Sequence, residues 1–144
     1  MIILTRKITV DTKAAPEEHY IAIVNITSKI QQQIEMAYLE AGTVTVFLPG
    51  TTAGITTIEY EEGLLSDFRH AWARLVPRDA AYNHKFMWEE NNAFAHIRAS
   101  LMGPSLVVPI ANKRLVLGQF QQVVLVDFDN RPRSRQVVLQ FLGE

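Results

Sequence analysis

Short β-prone segments and amphipathic helical segments follow each other without strict alternation in this chain, and that order constrains the fold more than any other feature. Apolar residues alternate over Ile2–Val10, as in a strand with one buried face. β-Branched residues fill Thr43–Leu48, and after a Pro-Gly break Ala53–Tyr60 continues as a strand. Because strands follow one another through turns as well as through helices, the sequence predicts an α+β fold rather than a doubly wound sheet.

Two segments have the apolar spacing of amphipathic helices. Ser28–Ala41 repeats apolar residues at helical spacing, with Thr27 as its N-cap and Gly42 as its stop. A second apolar stripe runs over Leu64–Leu75. The other expected elements are a loop at Asp11–Glu18, a strand at Tyr20–Val24, an ordered loop at Arg78–Asn91, a short helix capped by Asn92 and ending near Met102, and strands at Ser105–Ile110, Leu115–Phe128 and Arg135–Leu142.

The composition excludes several classes of function. The chain of 144 residues suits one domain, 1–144. It has no Cys, so disulfides, thiolate metal sites and Cys nucleophiles are excluded. Its net charge of −1 gives no overall attraction to nucleic acid, and no apolar run approaches the ~20 residues that span a membrane. Met1–Val10 lacks the apolar core of a signal peptide, so we expect a cytoplasmic protein.

Two histidines are the first candidates for a functional site. His84 lies in the expected loop and His96 in the short helix after it, with Tyr82 and Asn92 nearby. Imidazoles from a loop and the next helix can converge on Zn²⁺ or a similar ion, although this spacing matches no standard zinc motif. The alternative is a solvated loop residue and a helical His with satisfied hydrogen bonds. Both interpretations are open on the residues alone.

The segment Pro49–Gly54 is a second candidate, because its two glycines and two threonines can expose backbone N–H groups to an anion. It is equally described as a plain connection between strands. Downstream, Glu59 and Glu61 share one face of the expected strand, and Glu59 is the one farther from the strand end. The alternative for this acidic pair is an ordinary polar strand end.

An arginine cluster near the C-terminus is the last polar pattern. Guanidinium groups match phosphate oxygens in a bidentate way, and a solvated hairpin turn explains the same residues. The cluster consists of Arg131, Arg133 and Arg135. No GxxxxGK[ST], GxGxxG or GxSxG segment is present, so neither a nucleotide site nor a hydrolase elbow is supported.

Several segments, in the same order, resemble the YjbQ-like proteins, a family described as secondary thiamine-phosphate synthases. The resemblance covers almost the whole chain. It is carried by VFLPGTTAGIT (Val46–Thr56), RLVPRDAAYNH (Arg74–His84), NNAFAHIRASLMGPSLVVPI (Asn91–Ile110), RLVLGQFQ (Arg114–Gln121) and the final LGE.

The resemblance implies an α+β fold built as a mixed or antiparallel β-sandwich with two main helices and one short helix, assembled as a homotrimer. It implies a reaction that joins a pyrimidine pyrophosphate to a thiazole phosphate at a site that holds a divalent metal, Zn or Mg. The implied catalytic residues, which are also the implied metal ligands, are Glu59, His84 and His96. The implied substrate and phosphate contacts are Thr51, Thr52, Asn92, Gln121, Arg133 and Arg135.

The chain departs from the family pattern at three positions. The first His of the motif is Gly50 here, the Asn before the Glu is Ile58, and the usual Trp is Phe120. Gly50 removes one imidazole, so a three-His metal site becomes at most two His and a carboxylate, a ligand set that still binds zinc in other proteins. The resemblance therefore leaves two hypotheses: a transferase acting on phosphorylated small molecules, or a non-catalytic trimer that binds a small anion or a metal at a degenerate site.

Overall fold

The computed structural model describes residues 1–84 and 91–144. Its elements, in chain order, are β1 (Ile2–Thr12), a 3₁₀ turn (Pro16–Glu18), β2 (Ala22–Asn25), α1 (Thr27–Ala37), β3 (Gly42–Phe47), β4 (Ala53–Glu59), α2 (Glu62–Leu75), α3 (Ala93–Met102), β5 (Ser105–Ala111), β6 (Arg114–Leu115), β7 (Gln121–Asp127) and β8 (Arg133–Gly143).

The strands form two sheets. One has five strands in the order β1-β8-β3-β5-β6, and the other has three in the order β2-β7-β4. Each pairing between described strands is antiparallel. The α+β prediction is confirmed, and of the two sheet types that it named the antiparallel one is observed.

Two apolar layers hold the sheets and helices together. The first fills the space between the sheets, where Val44 and Leu139 of the larger sheet meet Leu125 of the smaller one, and Ile30 and Ile34 of α1 close it. The second lies on the other face of the smaller sheet, under α2 and α3. Its fully buried members are Ile21, Phe94, Ala95, Val124, Val126 and Phe128. The outer face of the five-stranded sheet carries no helix in the described chain.

Two of the expected helix boundaries are wrong. Helix α1 ends at Ala37, because Tyr38 takes a left-handed conformation with φ 55°. Gly42, the expected stop, is instead the first residue of β3. Thr27 lies inside the first turn, where its hydroxyl accepts a hydrogen bond from the Val123 amide and donates one to the side chain of Asn25. The start of α1 is therefore tied to β7 by tertiary contacts that helix periodicity does not encode.

The long strand expected over Leu115–Phe128 is interrupted. It forms β6 and β7 on different sheets, joined by a turn at Gly118, whose amide donates to the side chain of Gln121. Strand β1 runs on to Thr12, because Asp11 and Thr12 keep their register with Ser134 and Arg133. In the expected loop Arg78–Asn91, residues 85–90 lie outside the described chain. No described helix is long and apolar enough to cross a membrane.

The two cores predict a clear contrast between two phenylalanines. Phe94 is 0% exposed and lies under α3, whereas Phe120 is 63% exposed in the turn before β7. We expect F94A to lower the free energy of unfolding by about 3–5 kcal/mol, since the cavity that it leaves cannot fully collapse. F120A, the matched control, should change it by less than about 0.5 kcal/mol. Urea denaturation of both variants measures this, and equal losses would contradict the described packing.

Candidate functional site

The structure brings His84 and His96 into ring contact. Their ring centroids are 4.9 Å apart and the planes meet edge to face at 65°. A cavity of about 340 Å³, the His cavity, opens beside both rings and is also lined by Tyr82 and Ile97. A neighbouring cavity of about 410 Å³ is lined by Arg78, Tyr82 and His84. The two imidazoles therefore lie where a small molecule has room to bind.

Local structure explains how the two rings meet. His96 lies on the first turn of α3, which the buried residues Phe94 and Ala95 anchor in the second core. His84 follows Tyr82, whose hydroxyl donates a hydrogen bond to the carbonyl of Pro77 and so holds this loop against the end of α2. A helix fixed by its core and a loop fixed by Tyr82 thus place the pair.

His96 is held in an environment that favours its neutral form. Burial lowers its pKa below the ordinary value of 6.5, and the nearby His84 lowers it further. Asp129 and the carbonyl of Thr51 act in the opposite direction without reversing the shift. At neutral pH this imidazole therefore carries no charge and has a free lone pair on one of its nitrogens.

Two buried acceptor atoms at the site have no hydrogen-bond partner in the described chain. They are Nε2 of His96 and Oδ1 of Asn92. Asn92 is 2% exposed and precedes α3 by one residue, so the two side chains are one helical turn apart. Asn92 occupies the N-cap position that the sequence predicts, but its side chain caps nothing, because its amide donates to Asp129. Buried polar atoms are normally paired, so these two are the candidate contacts for a ligand at this site.

Asp129 is the buried centre of the site. Its carboxylate accepts hydrogen bonds from the side chains of Thr52, Asn92 and Arg133. Burial alone would raise the pKa of Asp129, but these bonds and the Asn130 amide lower it overall. The carboxylate therefore stays ionised at neutral pH and holds three site residues in place.

A second buried carboxylate continues this network into the larger sheet. The guanidinium of Arg135 donates to both oxygens of Asp127, at 2.8 and 2.9 Å, and also to the hydroxyl of Thr52. The hydroxyl of Thr12 donates to the same Asp127. Arg135 and Asp127 are both buried. The pair is thus a bidentate ion pair of the kind that tolerates burial.

These contacts show what the predicted phosphate-binding residues do within the chain; their binding of phosphate stays a prediction. The sequence proposes Thr52, Asn92, Arg133 and Arg135 as contacts for a phosphate, yet each of them donates to an internal carboxylate. Within one chain the two arginines are paired with carboxylates, and all four side chains form the frame of the site. Thr51 is exposed, and its backbone carbonyl faces His96.

Glu59 and Gln121 are not brought to the histidines within one chain. They pair with each other across β4 and β7, whereas Ala53 pairs with Asp127 at the opposite end of the same strands. Six residues of strand separate the two ends by about 20 Å. The carboxylate of Glu59 is exposed, and the Gln121 side chain bonds to Thr57 and Gly118. A catalytic or metal-binding role for Glu59 remains a prediction from the sequence alone.

The expected metal site is incomplete in the described part of the chain. No group of three His, Cys, Asp or Glu residues there is placed to share an ion. The nearest carboxylate, that of Asp129, is occupied on both oxygens. Strand length separates Glu59 from the imidazoles within one chain, so the set of His84, His96 and Glu59 stays a prediction from the sequence. The possible metal ligands of one chain at this site are the two imidazoles and the amide oxygen of Asn92.

Gly50, the position at which the family resemblance implies a histidine, lies beside this frame. Gly50 has φ +143°, a backbone conformation that side chains rarely adopt, and a Cβ there would lie 3.2 Å from Nη1 of Arg135. The Gly is therefore suited to the local turn, and a His at this position would require the backbone to change.

The sequence-based prediction missed Asp127 and Asp129. Both follow the apolar run Val123–Val126, and Arg133 and Arg135 come a turn later. Two acids and two arginines at matching two-residue spacing on either side of a turn were the signal, since a turn brings the chain back on itself and lets opposite charges on its two sides form ion pairs. Arg78, which lines the cavity beside His84, was also missed.

Comparisons with known proteins agree with one another. The family model described as "UPF0047 protein YjbQ-like" matches residues 7–144. A UPF0047 protein of Archaeoglobus fulgidus is 35% identical over 122 residues, covering 85% of this chain and 92% of the relative. A UPF0047 protein of Methanothermobacter thermautotrophicus is 33% identical over 124 residues, covering 86% and 85%.

Solved structures show the same similarity in three dimensions. A YbjQ-like protein of unknown function from Sulfolobus solfataricus has a TM-score of 0.85 at 25% identity, with 99% of this chain and all of that chain covered. A protein of the YjbQ/UPF0047 family from Clostridium acetobutylicum has a TM-score of 0.80 at 31% identity, covering 94% of this chain and 99% of its own.

The ion pair between the sheets yields a stability prediction. R135M leaves the buried carboxylate of Asp127 without its counter-charge, so we expect the free energy of unfolding to fall by about 3–5 kcal/mol. The double variant D127N/R135M removes both charges and should lose less than R135M. R6M, at an exposed arginine of β1, is the matched control and should be nearly neutral. Denaturant titration measures all three, and an equal loss in the single and double variants would show that charge is not the cause.

The environment of His96 yields a titration prediction. Its ring signal in NMR should titrate below pH 6.5, and H84A should raise that pKa because a repulsive neighbour is removed. Since the folded pKa is the lower one, the unfolded chain takes up the proton first. The contribution of His96 to stability is therefore complete above pH 6.5 and is lost as the pH falls through the folded pKa. A titration midpoint of His96 above 6.5 would contradict the described burial.

Proposed function

Because the chain belongs to the YjbQ-like UPF0047 family and places two histidines beside a cavity, we propose that it is an enzyme that acts on a small phosphorylated molecule at the His84–His96 pair. The observation that carries this proposal is Nε2 of His96, a buried atom without a hydrogen-bond partner among the described residues, on a side chain that lines that cavity. A lone pair held in this way suits proton abstraction from a bound substrate or a bound water.

Charged groups around the pair support an anionic substrate. Arg78 lines the cavity beside His84, and Arg133 is close enough to lower the pKa of His96. Guanidinium groups stabilise charge on phosphate oxygens as a bond to them breaks. In the family-type transfer, a pyrimidine pyrophosphate and a thiazole phosphate give thiamine phosphate and pyrophosphate, and negative charge accumulates on the departing pyrophosphate. That transfer is the first reaction to assay.

The two unpartnered acceptors favour a second candidate, a non-catalytic homotrimer that binds a small anion or a divalent metal. Nε2 of His96 and Oδ1 of Asn92 both offer lone pairs, as ligands to Zn²⁺ do. With His84 they make three donors from one chain, and the remaining coordination position falls to water or to another molecule. Glu59 would take part only from a neighbouring subunit.

The outer face of the five-stranded sheet supports the trimer part of this candidate. The outward residues of β3, β5 and β8 include no charged side chain, and Phe47, Val107 and Leu142 are at least 39% exposed there. Apolar sheet surfaces of this kind are typical of contacts between proteins, and on these three strands a second copy meets no like-charge repulsion. Charged residues of the same face, Lys7 and Asp11, lie on the edge strand β1.

The test of the proposed enzyme is turnover by the purified full chain. We expect H84A and H96A to lose at least about 100-fold in activity on the two thiamine precursors, the usual contribution of a proton-transfer group. H70A removes an exposed histidine of α2 and serves as the matched control, which should retain activity.

Wild-type activity in H96A would refute the proposed role of the pair. Metal that co-purifies with the wild type and is lost in H84A and H96A, in a protein without turnover, would establish the second candidate. Sedimentation of the same samples measures the oligomeric state. An E59Q variant with normal activity would remove Glu59 from the site in any subunit.

A further inference from the structure

A cavity separate from the His cavity lies between the end of α2, α3 and the 3₁₀ turn. It has a volume of about 410 Å³ and is lined by Tyr20, Arg78, Asp79, Arg98 and His19, among others. We call it the Arg98 cavity. Arg78 and Asp79 line both this cavity and the one beside His84, so the two spaces adjoin at these residues.

Arg98 is a buried cation with no anionic partner among residues 1–84 and 91–144. Its side chain is 0% exposed, and within the described residues no carboxylate lies within salt-bridge distance of it. Nε and Nη2 donate to the carbonyl of Val76, and Nη1 donates to the carbonyl of His19. A guanidinium has five N–H donors, so these three bonds leave two unused.

The surroundings of Arg98 do not supply the missing negative charge. Its guanidinium lies 5.0 Å from the ring of Phe94 and 5.7 Å from that of Phe128. Burial lowers the pKa of Arg98 to about 10, which leaves it charged at neutral pH. Three hydrogen bonds to carbonyls and two aromatic faces stabilise this cation, but none of these groups carries a negative charge that would offset its own. A cavity next to such a charge therefore favours an anion.

Arg78 faces the same cavity with a guanidinium that is free to take a ligand. It stacks on the ring of Tyr20 at 4.8 Å, and its ion pair with Asp79 spans 3.2 Å between half-exposed and exposed side chains. Exposed pairs of this kind are weak, so an incoming anion competes for the group easily. With His19, the cavity presents two guanidinium groups and one imidazole against one exposed carboxylate.

We propose that the Arg98 cavity is the phosphate subsite of the proposed enzyme, in which Arg78 contacts the phosphate and Arg98 supplies a buried positive charge behind it. Arg98 is closed to solvent and acts through its field, which the apolar surroundings screen poorly. The rest of the substrate extends past Arg78 to His84. The placement of the reacting end of the substrate at His84 rests on the proposed function. The phosphate itself is assigned to residues that the sequence pattern does not indicate.

Calorimetric titration of the full chain with inorganic phosphate tests the subsite without any turnover. We expect the wild type to bind phosphate, and R78Q to bind it about ten- to a hundredfold more weakly, as expected for the loss of a charged hydrogen-bond donor. R74Q changes an exposed arginine one helical turn earlier that lines neither cavity, and it should bind like the wild type. R98Q, with its fold verified by circular dichroism, should also bind more weakly.

The outcomes separate this inference from the proposed function. Unchanged phosphate affinity in H84A, together with weaker affinity in R78Q, supports the subsite whether or not the enzyme turns over. Loss of phosphate binding in H84A but not in R78Q would place the anion in the His cavity and overturn the inference, while leaving the proposed enzyme intact. No phosphate binding by the wild type, or equal binding by R78Q and R74Q, would also overturn it.

Discussion

The ion pair between Asp127 and Arg135 is the contact on which the site depends. It joins β7 of the smaller sheet to β8 of the larger one, and Thr12 of β1 and Thr52 before β4 bond to the same two groups. Hydrophobic layers hold the sheets face to face but do not fix their lateral position, because apolar contact is not directional. The bidentate ion pair at one edge of the sandwich is directional, and it therefore fixes how the two sheets are aligned.

The same frame determines where the histidines lie. Thr52 bonds to both Arg135 and Asp129, and Asp129 in turn orients Asn92 at the start of α3. His96 is one turn farther along that helix. A change in how the two sheets align would therefore move the imidazole relative to the cavity. The carboxylates and arginines around the site serve mainly as its scaffold, and the groups that can meet a ligand are those that the scaffold leaves unpaired.

The sequence predicts the fold class and the location of the histidine pair, but not the long-range contacts that connect the elements around that pair. Alternation and helical spacing identify the main strands and helices, because both depend on neighbouring residues. The end of α1 at Tyr38, the break between β6 and β7, and the separation of Glu59 from His96 depend on contacts between distant parts of the chain. A family motif contains the residues that recur among family members. Those residues need not all lie close together within one folded chain.

The two buried acceptors of the site have a consequence for how it recognises a ligand. Nε2 of His96 and Oδ1 of Asn92 are buried and have no hydrogen-bond partner among the described residues. A ligand that brings hydrogen-bond donors or a metal ion to them gains bonds that the protein itself does not supply. A ligand that brings only another acceptor would meet uncompensated repulsion. The site thus selects ligands that present a hydrogen-bond donor or a cation to these two atoms, and this selection is independent of the shape and size of the ligand.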